Sequence, residues 1–157
     1  MLKSYKTAGG TAEEITDSAQ TARTVKTSSV AETEQAGVDF AKLLRPGDTV
    51  AFFGGLGAGK TAFIRGLAKN FSFTETSSPT FTIVNEYINE NIKIYHFDMY
   101  RIKSESDLES IGFYDYTDGI KLIEWYENIA DFGVEITYTV SIEITGETER
   151  LITIEEK

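Results

Sequence analysis

Gly54-Gly55-Leu56-Gly57-Ala58-Gly59-Lys60-Thr61 constrains this chain more than any other stretch, because it fits G-x-x-x-x-G-K-[ST], the phosphate-binding P-loop pattern. The pattern has meaning only between a strand and a helix. Asp48 to Phe53 reads as a short buried strand, and Ala62 to Lys69 continues as a helix with apolar positions at Phe63, Ile64, Leu67 and Ala68. Glycines let the backbone curl so that successive N–H groups point inward at phosphate oxygens, and the helix N-terminus adds partial positive charge. The backbone of Gly55, Leu56, Gly57, Ala58, Gly59, Lys60, Thr61 and Ala62 is therefore expected to hold a nucleotide. Lys60 would bridge the β- and γ-phosphates, and the Thr61 hydroxyl would ligate Mg²⁺. The competing reading is a glycine-rich turn that binds nothing, and both flanks argue against it.

Reading outward from the loop gives an alternation of strands and helices. Residues 1–23 are rich in Thr, Ala, Gly and Ser and are expected to form a mobile extension, with a short helix from the Thr11-Ala12-Glu13-Glu14 capping box as the alternative. Residues 24–157 make the P-loop domain. Thr24 to Ser28 reads as an edge strand, and Ser29 with Glu32 as a capping box opening a helix over Val30 to Leu44. Its apolar face is Ala36, Phe40, Leu43 and Leu44, leaving Glu32, Glu34, Asp39 and Lys42 to solvent.

Downstream, residues 71–80 are polar and aperiodic, hence a surface loop. Thr80 to Tyr87 and Ile92 to Met99 are β-rich runs joined by Asn89-Glu90-Asn91, a hairpin pattern. Ser104 and Asp107 cap a short helix that stops at Gly112. Ile120 to Ile123 reads as a strand ending at Glu124-Trp125, and Glu135 to Ile144 with Leu151 to Glu155 as a closing pair. The fold class that follows is α/β, a single P-loop NTPase-like domain of three layers with a mixed central sheet.

Composition narrows the setting. The 157 residues suit one domain, and the absence of cysteine excludes disulfides and thiolate metal sites. No run is long and apolar enough to span a membrane, so a soluble cytoplasmic protein is expected. A formal charge of −10 argues against this chain alone gripping nucleic acid.

Nucleotide hydrolysis needs an acidic group beyond the P-loop, and strand ends beside the loop are where one is mounted. Asp98 and Glu124 each end an apolar strand. For each, the plainer reading is a solvated or turn-bonded carboxylate. His96, the one histidine in the chain, suits a polar network. Trp125 fits either core packing or a face near the nucleotide or a partner, and Arg101 either a phosphate or a local carboxylate. Ser78-Pro79-Thr80 is either a passive turn or a loop that senses the γ-phosphate through a hydroxyl.

Gly54 to Thr61, Ser78-Pro79-Thr80-Phe81-Thr82 with Tyr87, His96-Phe97-Asp98-Met99-Tyr100-Arg101 and Glu124-Trp125 occur in the order and rough spacing of the bacterial TsaE (YjeE) family, which the chain resembles from about residue 24 onward. The resemblance implies an ATPase of tRNA threonylcarbamoyladenosine synthesis that acts with TsaD and TsaB, with tRNA held mainly by the partners. Carried onto this sequence, it makes Lys60 the phosphate lysine, Thr61 and Glu124 the Mg²⁺ shell, Asp98 a second essential carboxylate and Thr80 part of a switch-like catalytic loop.

Three positions depart from the family pattern. Ala62 stands where many members have a second Thr, Gly55 replaces a frequent Asp, and Tyr126 follows Glu-Trp where Pro is common. Two other functions remain open on the residues alone. One is a nucleotide-dependent binding module; the other is a small-molecule kinase, disfavoured by the scarcity of arginine after the P-loop.

Overall fold

Ser29 starts the first helix by the expected mechanism. Its backbone is extended, its Oγ accepts the Glu32 N–H at 3.1 Å, and Glu32 Oε1 accepts the Ser28 N–H at 2.7 Å. Helix α1 spans Val30–Ala41, and Leu43 and Leu44 continue it as a tighter turn in which their N–H groups bond Phe40 and Ala41. Arg45 N–H then bonds Asp48 Oδ2 at 2.8 Å, turning the chain into the next strand. Ser104 caps its helix in the same way, through Asp107 N–H at 3.1 Å.

The protein, seen as a computed structural model, is described at residues 13–16 and 22–157. Its strands are β1 (Glu13–Thr16), β2 (Ala22–Thr27), β3 (Thr49–Phe53), β4 (Val84–Ile88), β5 (Lys93–Asp98), β6 (Ile120–Glu124), β7 (Tyr138–Ile144) and β8 (Arg150–Glu156). Helices α2 (Lys60–Asn70) and α3 (Glu105–Ser110) complete the regular elements, with short 3₁₀ turns near 113, 126 and 130.

The strands form one mixed sheet in the order β1-β2-β8-β7-β3-β6-β5-β4. Its centre, β7-β3-β6-β5, is parallel, and both flanks are antiparallel. Three expectations change here. The strand beginning the domain is not an edge: β1 pairs with one side of β2, from Glu13↔Lys26 to Thr16↔Arg23, and β8 takes the other. Glu13 and Glu14 are therefore in a strand rather than in the alternative capped helix, and Ala22 and Arg23 already belong to β2. The mobility expected of residues 1–12 and 17–21 lies outside the described residues. The hairpin strand expected from Thr80 begins only at Val84, because Ile83 takes φ 71° and its N–H turns back to Pro79 O at 2.8 Å.

Three layers result. On one face α1 and α2 bring Phe40, Phe63 and Leu67 against Ile94, Leu122, Val140 and Ile152. On the other, α3 and the 3₁₀ turns bring Leu108, Phe113 and Ile129 against Phe97, Met99 and Ile123. Alternation along β5 sends its two sets of side chains to these two cores. No helix among the described residues is long and apolar enough to cross a membrane.

The α1–α2 contact is unusually close and rests on two glycines. A Cβ on Gly66 would lie 1.8 Å from Glu34 O, and one on Gly37 would lie 2.0 Å from Phe63 O. Because α1 is buried against both the sheet and α2, it hides a wider arc than one apolar stripe. Asp39, expected in solvent, is consequently buried at 3% exposure, where its Oδ1 accepts from Gln35 Nε2 at 3.1 Å and lies 3.7 Å from Lys42 Nζ.

Glu34 adds a charged tie across the same contact, 2.6 Å from Lys69 Nζ and 3.4 Å from Arg65 Nη1. The Lys69 hydrogen bond, opposed by burial and aided by the charges of Lys69 and Arg65, holds the Glu34 carboxyl below its usual 4.5. A carboxyl depressed in the folded state contributes stability that is complete above its unfolded value and lost as pH falls through its folded value. Urea unfolding across acidic pH is therefore expected to show Glu34→Gln less stable than wild type at neutral pH, with the difference closing below pH 4.5. A difference that stays constant through that window would remove Glu34 as a source of acid sensitivity.

Candidate phosphate-binding and catalytic site

The loop between β3 and α2 has the backbone that phosphate binding requires. Gly54 and Gly59 sit at φ 151° and 111°, and a Cβ on Gly54 would meet Ile142 O at 2.8 Å. Gly59 is the N-cap of α2 and offers no side-chain acceptor. The first N–H groups of the helix, at Lys60, Thr61 and Ala62, therefore have no partner in the preceding turn by helix geometry and are left for an anion. At Gly55 an added Cβ meets nothing within 4 Å, so a side chain there is sterically acceptable.

Strand pairing delivers the acidic groups to this loop. β6 lies between β3 and β5, with Phe52↔Glu124 on one side and Asp98↔Glu124 on the other. Glu124 Oε1 is 3.8 Å from Lys60 Nζ, and Oε2 is 2.7 Å from His96 Nε2. Lys60 Nζ also donates to Gly54 O at 2.8 Å. Burial opposes ionisation of Glu124, but the His96 hydrogen bond and the charges of His96 and Lys60 outweigh it and hold the carboxyl below its usual range. His96 is thus the polar-network residue that its position suggested.

Trp125 leaves β6 with φ 57°, a conformation uncommon for a bulky residue and one that turns its ring back over the site. The ring centroid is 5.7 Å from Lys60 Nζ and packs edge-on against Tyr100 at 5.0 Å. At 40% exposure it is a wall of the site, and the core-packing reading falls.

The other candidates are placed less uniformly. Asp98 is buried beside Glu124, and its Oδ1 accepts the Tyr100 N–H at 2.9 Å, so one carboxylate oxygen serves the turn. Thr80 is exposed and its hydroxyl bonds Ser78 Oγ at 2.7 Å rather than any residue of the Lys60–Glu124 cluster. The loop around it is held by Tyr87, whose hydroxyl accepts the Ser77 N–H at 3.0 Å. Arg101 is exposed and lines an open groove with Tyr100, Lys103 and Trp125, and no carboxylate among the described residues pairs with it within 4 Å.

A residue absent from the sequence reading also reaches the loop. Arg150, the first residue of β8, donates through Nε to Ala58 O at 2.9 Å and through Nη2 to Gly57 O at 3.4 Å. It also borders a cavity of about 310 Å³ lined with Ser28, Val30, Thr33, Gly59 and Ala62. The only sequence signal was a lone arginine at the start of a strand.

The donor set fits Mg²⁺ held chiefly by phosphate and water. Thr61 and Glu124 offer a hydroxyl and an ionised carboxylate, and among the described residues there is no group of three or more His, Cys, Asp or Glu that could hold a metal unaided.

Comparison with known proteins agrees with this architecture. Residues 27–152 match the family model for threonylcarbamoyl adenosine biosynthesis protein TsaE. The chain is 39% identical over 129 residues to the Rickettsia typhi tRNA threonylcarbamoyladenosine biosynthesis protein TsaE, covering 80% of this chain and 90% of that one. The Bacillus subtilis protein of the same name is 37% identical over 114 residues, 72% of each chain. The crystal structure of Bacillus subtilis YdiB superposes with a TM-score of 0.70 at 28% identity, covering 94% of this chain and 88% of the other. With the family model spanning most of the chain and the P-loop, Asp98 and Glu124 gathered at one end of the sheet, this chain belongs to the TsaE family of threonylcarbamoyl adenosine biosynthesis proteins.

Proposed function

We propose that the chain is a Mg²⁺-dependent ATPase that supports N6-threonylcarbamoyladenosine modification of tRNA in a cytoplasmic complex with TsaD and TsaB. The observation that carries this reading is the Lys60–Glu124–His96 chain of contacts at the mouth of the P-loop. A P-loop that only tethered a nucleotide would not require a half-buried carboxylate kept ionised beside its lysine.

In this reading the loop N–H groups and Lys60 hold the β- and γ-phosphates, where positioning and charge neutralisation supply most of the catalysis of phosphoryl transfer. Mg²⁺, when bound, neutralises charge across those phosphates. Thr61 and Glu124 are the residues that would hold it. His96 fixes the rotamer of Glu124, and Asp98 is the second carboxylate of the site. In this reading the nucleoside would extend toward the cavity lined by Gly59, Ala62 and Arg150. A chain of charge −10 leaves the grip on tRNA to its partners.

The test is phosphate release from Mg²⁺-ATP by the purified protein, with and without TsaD and TsaB, beside tRNA modification under the same conditions. Expected is hydrolysis that rises with the partners, and modification that stalls when a nonhydrolysable ATP analogue replaces ATP. Repeated rounds of modification with the analogue would overturn the ATPase reading in favour of a binding module. ADP formation that depended on a phosphorylated small molecule would favour a kinase.

A further inference from the structure

Arg150 belongs to the nucleotide site without being one of its ligands. Its side chain makes hydrogen bonds to four backbone carbonyls: Ala58 O at 2.9 Å and Gly57 O at 3.4 Å in the P-loop, and Glu149 O at 2.9 Å and Gly146 O at 3.3 Å in the β7–β8 turn. No carboxylate among the described residues pairs with it within 4 Å, although Glu147 and Glu149 are close in the chain. The planar fork of a guanidinium suits this task, since Nε and Nη2 lie on one side and can collect two consecutive carbonyls.

The physical reason lies in the alternation of the peptide group. A loop that turns its N–H groups toward an anion turns carbonyls away from it, and those carbonyls need donors of their own. The Ala58–Gly59 peptide is such a position; the Gly57–Ala58 peptide, where Gly57 has φ 78°, gives its N–H to Gly55 O at 3.1 Å and its carbonyl to Arg150, which fixes the turn that leads into it. A cation behind them fixes the orientation of the peptides and adds positive potential to the phosphate cradle. The anchor itself is firm, because Arg150 is paired in the sheet on both sides, with Thr27 of β2 and Ile144 of β7.

We infer that Arg150 is a positioning residue for nucleotide binding, holding the P-loop amides in their anion-binding orientation from behind and making the β7–β8 turn part of the site. This rests on the P-loop's being a nucleotide site at all. Because the loop amides hold phosphate in the bound state and in the transition state alike, losing their alignment weakens binding and raises KM while kcat changes little. That separates Arg150 from Lys60 and Glu124, whose loss lowers kcat.

The experiment is calorimetric titration of wild type, Arg150→Gln and Arg150→Lys with Mg²⁺-ADP and, separately, with Mg²⁺-pyrophosphate, alongside steady-state ATPase kinetics and thermal unfolding. Arg150→Gln is expected to weaken both ligands by about 10- to 100-fold, the loss of charged hydrogen bonds, with a matching rise in KM. Arg150→Lys keeps the charge but cannot fork across two carbonyls, so a smaller loss, again equal for the two ligands, is expected; this variant also covers the case in which the glutamine variant fails to fold. Two outcomes overturn the inference: affinities within twofold of wild type, or a loss confined to ADP, which would place Arg150 on the nucleoside instead. Wild-type protein that bound neither ligand would instead sink the nucleotide-site reading itself.

Discussion

Replacing Glu124 with glutamine is expected to lower Mg²⁺-dependent ATP turnover by about two to three orders of magnitude, the usual cost of removing one preorganised electrostatic group from a transition state. The side chain keeps its volume and its oxygen, so the strand end should stay folded. What goes is the charge that faces Lys60 at 3.8 Å and His96 at 2.7 Å. Under the proposed function Mg²⁺ would lose an anionic ligand, while the loop amides that would hold the diphosphate are untouched. ADP binding measured without metal should therefore remain within a few-fold of wild type as kcat collapses. Turnover that survived the change would remove Glu124 from the mechanism and move attention to Asp98.

Gly66→Ala should be the most damaging single methyl in the described residues. The new Cβ would lie 1.8 Å from Glu34 O and 2.7 Å from Glu34 C, both backbone atoms of α1 that cannot swing aside. Alanine gains about 1 kcal/mol in intrinsic helix propensity over glycine. Forcing two packed helices apart costs more, about 3 kcal/mol or above, a large share of the roughly 5–15 kcal/mol that holds a domain together. Urea unfolding should show the loss directly. Gly55→Ala is the control, because its Cβ meets nothing within 4 Å and should leave the midpoint nearly unchanged. A Gly66→Ala protein as stable as the control would mean that α1 and α2 can separate at little cost.

Local chemistry in the sequence accounted for much of this architecture. The glycine spacing located β3, the loop and α2, and Ser29 and Ser104 each announced a helix by a cap that the structure shows, with the reciprocal carboxylate bond taken one residue earlier, at the Ser28 and Lys103 N–H groups. The period of two along β5 puts Ile94 in one core and Tyr95 and Phe97 in the other, as the strand pattern requires. What escaped was set by packing partners distant in the chain or by local backbone conformations that composition does not encode. Asp39 looked solvated because one helical stripe cannot reveal that α1 packs against two neighbours. Glu13 to Thr16 looked too polar for ordered structure, yet backbone pairing with β2 needs no apolar side chains. Trp125 was divided between core and site because its left-handed backbone, which decides the matter, leaves no mark in composition. Thr80 was placed with the catalytic groups by motif, and its hydroxyl turned out to be engaged by Ser78.

The position of β8 bears on how the protein is made. This strand comes last in chain order among the described elements but lies between β2 and β7, so the ribosome releases β2 long before it and β7 directly before it. Until β8 emerges, a growing chain has two unpaired strand edges that invite mispairing, and its P-loop lacks the arginine that holds it from behind. Nascent chains stalled short of residue 150 should therefore engage chaperones and fail to retain nucleotide, even though the whole glycine-rich loop has long since left the exit tunnel.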